Sequence, residues 1–142
     1  MKLYLNVVDC AIQYQNKFLV IKRPLGVHSG GNLCFPGGKV DEGDEIHGAD
    51  FLRLAAKREV LEEVGLNLQD PLHYVTSNFF VVNDVPIIGT FFHCVVQKTK
   101  IDVVPSKREV DTYHWMTGQE IKDADNSPIW LKEMVDQITA SL

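Results

Sequence analysis

The sequence predicts a single α/β domain of the α+β kind, on three observations. Two pairs of β-rich runs, Leu3 to Tyr14 with Phe18 to Ile21 and Leu72 to Val82 with Val85 to Gln97, are each joined by a short polar turn, the pattern of antiparallel hairpins. A long helical stretch ending at Val64 lies between them, and a second helical pattern follows a late strand near the end of the chain. At 142 residues, positions 1–142 fit one domain that buries about two thirds of its unfolded surface, and no repeat or linker interrupts them.

Taken in order, Leu3 to Tyr14 carries Val7, Val8, Ala11 and Ile12 with few breakers and reads as a strand. Gln15-Asn16 turns the chain into the returning strand at Phe18 to Ile21. Arg23 follows at the strand's end, where a guanidinium either meets a phosphate, stacks on a base or is simply solvated. Pro24 to Asn32 is loop, and His28 within it has no partner at ligand spacing. Leu33-Cys34-Phe35 is a short strand leading into a Gly37-Gly38 turn, with Phe35 either a core residue or a base-stacking platform. Asp41 to Asp50 is acidic and reads as a solvated loop, with Asp50 capping a helix that starts at Phe51 and buries Leu52, Ala55, Ala56 and Leu61.

Asn83-Asp84 turns the second hairpin, and Lys98 to Lys107, with Pro105, is loop or strand edge. Val110 to Trp115 is a further strand. Thr117 and Glu120 have capping-box spacing for a short helix. Ser127 and Pro128 supply an N-cap and a helix-ready proline for the last helix, with Ile129, Trp130, Met134, Val135 and Ile138 along one side.

A net charge of −5 argues against a broad nucleic-acid or anionic-membrane surface, so phosphate recognition has to be local. The first residues have no apolar core for a signal peptide, and no apolar run approaches the roughly 18 residues of a membrane span. Cys10, Cys34 and Cys94 are far apart and in no C-x-x-C pair; they read as reduced thiols in a cytoplasmic protein. Nothing in the sequence marks an oligomeric state.

The most informative stretch is Arg58 to Leu66. As a helix it sets Glu59, Glu62 and Glu63 at i, i+3 and i+4 on one face, and Gly65 ends it in the left-handed conformation. Two carboxylates about 4 Å apart repel by roughly 4 kcal/mol near a protein surface. A divalent cation reverses that sign, and oxygen-only ligands on a rigid element suit Mg²⁺ or Mn²⁺. A solvated acidic face is the plainer alternative. Upstream, Phe35-Pro36-Gly37-Gly38-Lys39 is a run whose backbone can approach a ligand closely.

Gly37, Gly38, the acid at Asp44 and then Arg58-Glu59-x-x-Glu62-Glu63-x-Gly65-Leu66 together resemble the Nudix box. They depart from it at one point. The family sets its first acid eight positions before the arginine; here Asp50 stands at eight and Asp44 at fourteen, so either is open as the partner of Arg58.

The resemblance implies a mixed β-sheet sandwiched between α-helices and hydrolysis of a nucleoside diphosphate linked to another moiety. It implies Glu59, Glu62, Glu63 and the Gly37 carbonyl as ligands of Mg²⁺ or Mn²⁺, Arg58 as the residue that orients the glutamates, and Glu59 or Glu109 as the base. Within the family the layout is most similar to the MutT type of nucleoside triphosphate pyrophosphohydrolase, with oxidised purines among the substrates. Arg23, His28 and Phe35 recur there in a similar layout, and Arg23, Phe35, Lys39 and Asn126 then fall at substrate-binding positions. Pyrophosphatases of ADP-ribose or nucleotide sugars, and a nucleotide-binding module without catalysis, are the alternatives.

Overall fold

The computed structural model describes residues 1–27 and 30–141, so the reading of His28 lies outside the described residues. Strands β1 (Leu5–Tyr14) and β2 (Lys17–Lys22) form the first hairpin, turning through Gln15 at φ 57°. β3 (Leu33–Cys34) and β4 (Gly37–Lys39) follow, then helices α1 (Glu42–Glu45) and α2 (Phe51–Val64). The second hairpin is β5 (His73–Val82) with β6 (Val85–Val95), turned by Asn83 and Asp84, both at positive φ. β7 (Thr112–Thr117), α3 (Gly118–Asp123) and α4 (Ile129–Ala140) complete the order.

The strands make one mixed sheet in the order β3-β2-β1-β6-β5, with β4 beside β1 and β7 beside β2. β1 is its axis: it runs parallel to β6 from Leu5 to Gln13 and antiparallel to both β4 and β2. Along its other edge β1 changes partner. Val7 to Asp9 pair with β4, Gln13 and Tyr14 pair with β2, and between them the Cys10 amide donates to the Pro36 carbonyl at 2.8 Å.

Alternation along the strands builds two cores. Val8, Cys10, Ile12, Leu19, Ile21 and Phe92 point to one face, where Ala55, Ala56, Val60 and Val64 of α2 cover them. Ala11, Phe18, Val20 and Phe91 point to the other, under Ile121 of α3 and Leu131, Met134, Val135 and Ile138 of α4. The result is the expected sheet between helices, in which each fully buried large aliphatic side chain stabilises by about 1.5–3 kcal/mol. No described helix is long and apolar enough to cross a membrane. Thr117 and Glu120 form the expected capping box of α3.

Five local expectations are corrected. Gly37 and Gly38 lie in a strand, with neither at positive φ. Glycine is required there by close approach, since a Cβ at 37 would meet the Val8 carbonyl at 2.1 Å and one at 38 the Glu59 carboxyl carbon at 2.6 Å. The acidic loop contains a helical turn, α1, closed by reciprocal 3.0 Å hydrogen bonds between Asp41 and Asp44. Asp50 does not cap α2: its φ of 56° departs from the extended backbone a cap needs, and its carboxylate pairs with Arg53 at 2.9 Å. Leu61 is 51% exposed, because the buried stripe of α2 runs through Ala56, Val60 and Val64. In α4 the buried residue of the first turn is Leu131, while Ile129 and Trp130 are exposed; Pro128 takes the cap position, and the Ser127 hydroxyl is buried without a partner.

Gly65 ends α2 at φ 71°, and a Cβ there would stand 2.9 Å from Val104. Gly65→Ala is expected to cost about 1–2 kcal/mol from the left-handed backbone alone. The check is a urea titration, in which the midpoint falls at constant slope; an unchanged midpoint would contradict this account.

Candidate active site

Arg58 on α2 joins more of the site than any other side chain. Its Nε and Nη2 donate to Asp44 at 3.0 and 2.9 Å, its Nη1 to Glu59 at 2.9 Å and Glu62 at 3.1 Å, and its Nη2 also to the Lys39 carbonyl at 2.9 Å. Asp41 adds a contact at 3.3 Å. The partner left open by the spacing is therefore Asp44. The surplus residues fold into the end of α1 and a bend at Gly48, which has φ 70°, and this lets Asp44 reach back to the helix. Asp44 is buried, and its hydrogen bonds to Arg58 hold its carboxyl below the usual carboxylate range. The Arg58 pKa is raised in turn, chiefly by Asp44.

Glu59 and Glu63 lie on the α2 face turned to β4. The Glu63 carboxylate is buried and accepts a hydrogen bond from the Gly37 amide at 2.6 Å. Burial pushes its pKa up to about 8, against the Gly37 hydrogen bond and with help from Glu59 and Glu109. The Glu59 carboxyl packs on Gly38, and burial raises its pKa too, opposed by Arg58. Glu62 is exposed.

The segment after β6 docks on the end of this helix through the Val104 and Ser106 amides, which donate to the Val64 and Glu63 carbonyls at 2.9 and 2.7 Å. Glu109, exposed on the turn that follows, thereby stands close enough to raise the pKa of both Glu59 and Glu63.

Among the described residues no three His, Cys, Asp or Glu side chains stand together closely enough to hold a metal ion by themselves. Glu59 and Glu62 turn to the guanidinium, and what Gly37 offers Glu63 is its amide. The donor set nonetheless fits a hard cation. It is oxygen-only, and it includes two carboxylates whose burial is under-compensated by positive charge. Mg²⁺ or Mn²⁺ would take the rest of their coordination from water and phosphate.

On the opposite side of β4 lies a cavity of about 1000 Å³ between β1, the second hairpin and α4. Arg23 and Lys39 line it with Gly37 and Gly38. The Arg23 Nε is buried without a hydrogen-bond partner. Phe35 is corrected: it is 1% exposed, packed on Phe18 at a ring separation of 6.1 Å, in the core and not in the cavity. Asn126 is also absent from the lining; its side-chain amide donates to the Gly31 carbonyl at 3.1 Å and so ties down the preceding loop.

Sequence reasoning missed Asp9 and Trp130, which do line the cavity. Burial raises the Asp9 pKa to about 7, against Arg23 and with Glu59 adding. An ionisable residue inside the apolar run Val7-Val8-Asp9-Cys10-Ala11, in phase with Leu5 and Val7, was the available signal. All three cysteines are free and buried, and burial raises Cys34 to about 12, which makes it inert as a nucleophile.

Comparison with known proteins matches residues 4–138 to the family described as NUDIX domain. The chain is similar to phosphatase NudJ of Escherichia coli strain K12, at 27% identity over 119 residues that cover 84% of this chain and 72% of that one. Its fold is similar to a MutT protein from Methanosarcina mazei Go1, with a TM-score of 0.80 and 22% identity over 99% of this chain and 96% of that one. It is also similar to a bifunctional NMN adenylyltransferase/ADP ribose pyrophosphatase from Francisella tularensis, a complex with AMP and a manganese ion. That match has a TM-score of 0.71 at 18% identity and covers 100% of this chain and 42% of that one.

The Arg58–Asp44 pair sets an acid limit on stability. The folded pKa of Asp44 is depressed, so its contribution is present above the unfolded value of 3.8 and is lost as pH falls through the folded value. Asp44→Asn should cost on the order of 3 kcal/mol at pH 7, the penalty for breaking a buried pair, and lose less than the parent on acidification below about pH 4. Asp50→Ala should cost under about 1 kcal/mol, as exposed pairs do. Denaturant titrations across pH check both; equal losses would contradict the assignment of Asp44.

Proposed function

The chain belongs to the NUDIX family, hydrolases that cleave pyrophosphate bonds of nucleoside diphosphate-linked substrates with divalent metals, and we propose that this member is a MutT-type nucleoside triphosphate pyrophosphohydrolase. One observation supports the reading above others. Glu59, Glu63 and Glu109 meet on one side of a two-glycine strand whose other side opens on a large cavity carrying Arg23 and Lys39. Carboxylates that gather at the edge of a cation-bearing cavity suit an anionic substrate that arrives with a metal.

Glu59, Glu62 and Glu63 would hold Mg²⁺ or Mn²⁺, with the Gly37 backbone beside them. When bound, the cation supplies positive charge to the phosphate oxygens and lowers the pKa of water. Arg23 and Lys39 neutralise the remaining phosphate charge. Glu109 has no hydrogen-bond or ion-pair partner among the described residues, whereas Glu59 is engaged by Arg58; Glu109 is therefore the better base. It takes the proton as water attacks phosphorus and the anhydride P–O bond breaks, leaving nucleoside monophosphate and pyrophosphate. Arg58 orients Glu59 and Glu62 and does not touch the substrate.

The narrower reading, oxidised purine triphosphates, has less support, since Phe35 and Asn126 are engaged elsewhere. A second reading, hydrolysis of ADP-ribose or a nucleotide sugar, is favoured by the cavity volume of about 1000 Å³. That is the top of the usual range for ligand pockets and leaves room for a second ring system.

A panel of nucleoside triphosphates, ADP-ribose and nucleotide sugars with Mg²⁺ or Mn²⁺, scored by product identity, tests the proposal. Monophosphate and pyrophosphate from triphosphates are expected, and EDTA should abolish turnover. Glu109→Gln should lower kcat by about a hundredfold or more. Glu62→Gln and Glu63→Gln should weaken metal binding measured by calorimetry and leave the circular dichroism spectrum unchanged. Unaltered turnover in all three variants would sink the reading.

A further inference from the structure

Two carboxylates line the cavity that the chemistry above does not use: Glu133, exposed on α4, and Asp9, set deeper on β1. Asp9 projects from β1 on the same face as Leu5 and Val7, and apolar side chains of Leu33, Phe91, Trp130 and Met134 line the same space. Its carboxylate makes no hydrogen bond and no ion pair within 4.0 Å among the described residues, Arg23 included. A carboxylate kept in a largely apolar cavity is costly unless something donates to it. In its ionised form it only accepts and repels a phosphate, so it calls for ligand O–H or N–H groups.

Its place relative to the glutamates narrows which groups these are. Asp9 is the cross-strand neighbour of Gly37, and its Oδ1 lies 2.4 Å from where a Gly37 Cβ would be. The next glycine backs onto the Glu59 carboxyl. β4 pairs with β1 alone, so a nucleotide that passes its other edge, with its phosphates between the glutamates and the cations Arg23 and Lys39, brings its next covalent unit, the sugar, into the cavity that holds Asp9. The base extends one unit farther, toward Trp130 and Phe91, whose rings stand 6.1 Å apart. The two oxygens of one carboxylate match the two hydroxyls of a vicinal cis-diol, and acidic side chains take ribose hydroxyls in dinucleotide sites for the same reason.

We propose that Asp9 is a specificity residue that accepts hydrogen bonds from the 2′- and 3′-hydroxyls of the sugar next to the cleaved diphosphate, so that the enzyme selects ribonucleotides over 2′-deoxyribonucleotides. This rests on the hydrolase reading. It also explains position 37, because the Asp9 carboxylate occupies the space that any larger side chain there would need.

The test compares kcat/KM for a ribonucleoside triphosphate and its 2′-deoxy counterpart with the same base, in the parent, Asp9→Asn and Asp9→Ala. Calorimetric binding of the matching α,β-methylene analogues gives a readout without turnover. The parent should favour the ribonucleotide by about tenfold or more, the discrimination of a charge-assisted hydrogen bond. Both variants should bring the ratio to within about threefold, in turnover and in binding alike. A parent that turns over both sugars equally, or variants that keep the parental ratio, would overturn the role of Asp9 while leaving the hydrolase intact. A shift in base preference at constant sugar ratio would also overturn it, by assigning Asp9 to the base. If no nucleotide is either bound or cleaved, the hydrolase reading and this proposal fall together.

Discussion

The arrangement depends on one guanidinium. Arg58 sits on a helix face that would otherwise bring together Glu59, Glu62 and Glu63, and each like-charge pair at about 4 Å costs about 4 kcal/mol at an effective dielectric near 20. By bonding two of these carboxylates, the buried Asp44 and the Lys39 carbonyl, it offsets that repulsion and pins α1 and β4 to α2 at the same time. Arginine suits the task through its donor count and fixed fork; a lysine would supply the charge without reaching all of these acceptors.

The glycines of β4 answer a geometric constraint of the same kind. A strand of ordinary side chains would hold the helix away from the sheet, and the Glu59 and Glu63 carboxylates could not rest against its backbone. Stripped of side chains, the strand is thin, so groups on its two sides act on one another. Glu59 raises the Asp9 pKa from across it, and Arg23 lowers that of Glu63. The acidic helix and the cavity belong to opposite faces of the sheet, and only a strand of glycine separates them.

Much of the architecture was legible because it rests on local rules. Strand alternation, the Asn83-Asp84 turn, the capping box at Thr117 and Glu120 and the left-handed Gly65 are all properties of a few neighbouring residues. The misreadings share a cause. Asp50 had the right residue type for a cap, yet its backbone is set by the bend after Gly48 and its carboxylate by Arg53. Phe35 and Asn126 lie near the cavity in sequence terms, but packing on Phe18 and a bond to Gly31 commit them elsewhere.

The sequence by itself determined the fold class, the helix that carries the three glutamates and the arginine among them, because spacing along a helix converts directly into a shared face. It could not choose between Asp44 and Asp50 or turn Asp9 and Trp130 into one cavity, and it set Glu109 beside Glu59 only through the family resemblance. Those contacts join segments far apart in the chain, and their partners are selected by the sheet order and by which neighbour β1 takes along its length. Only the tertiary structure decides them, since pairing energy between distant strands leaves no mark on the residues nearby.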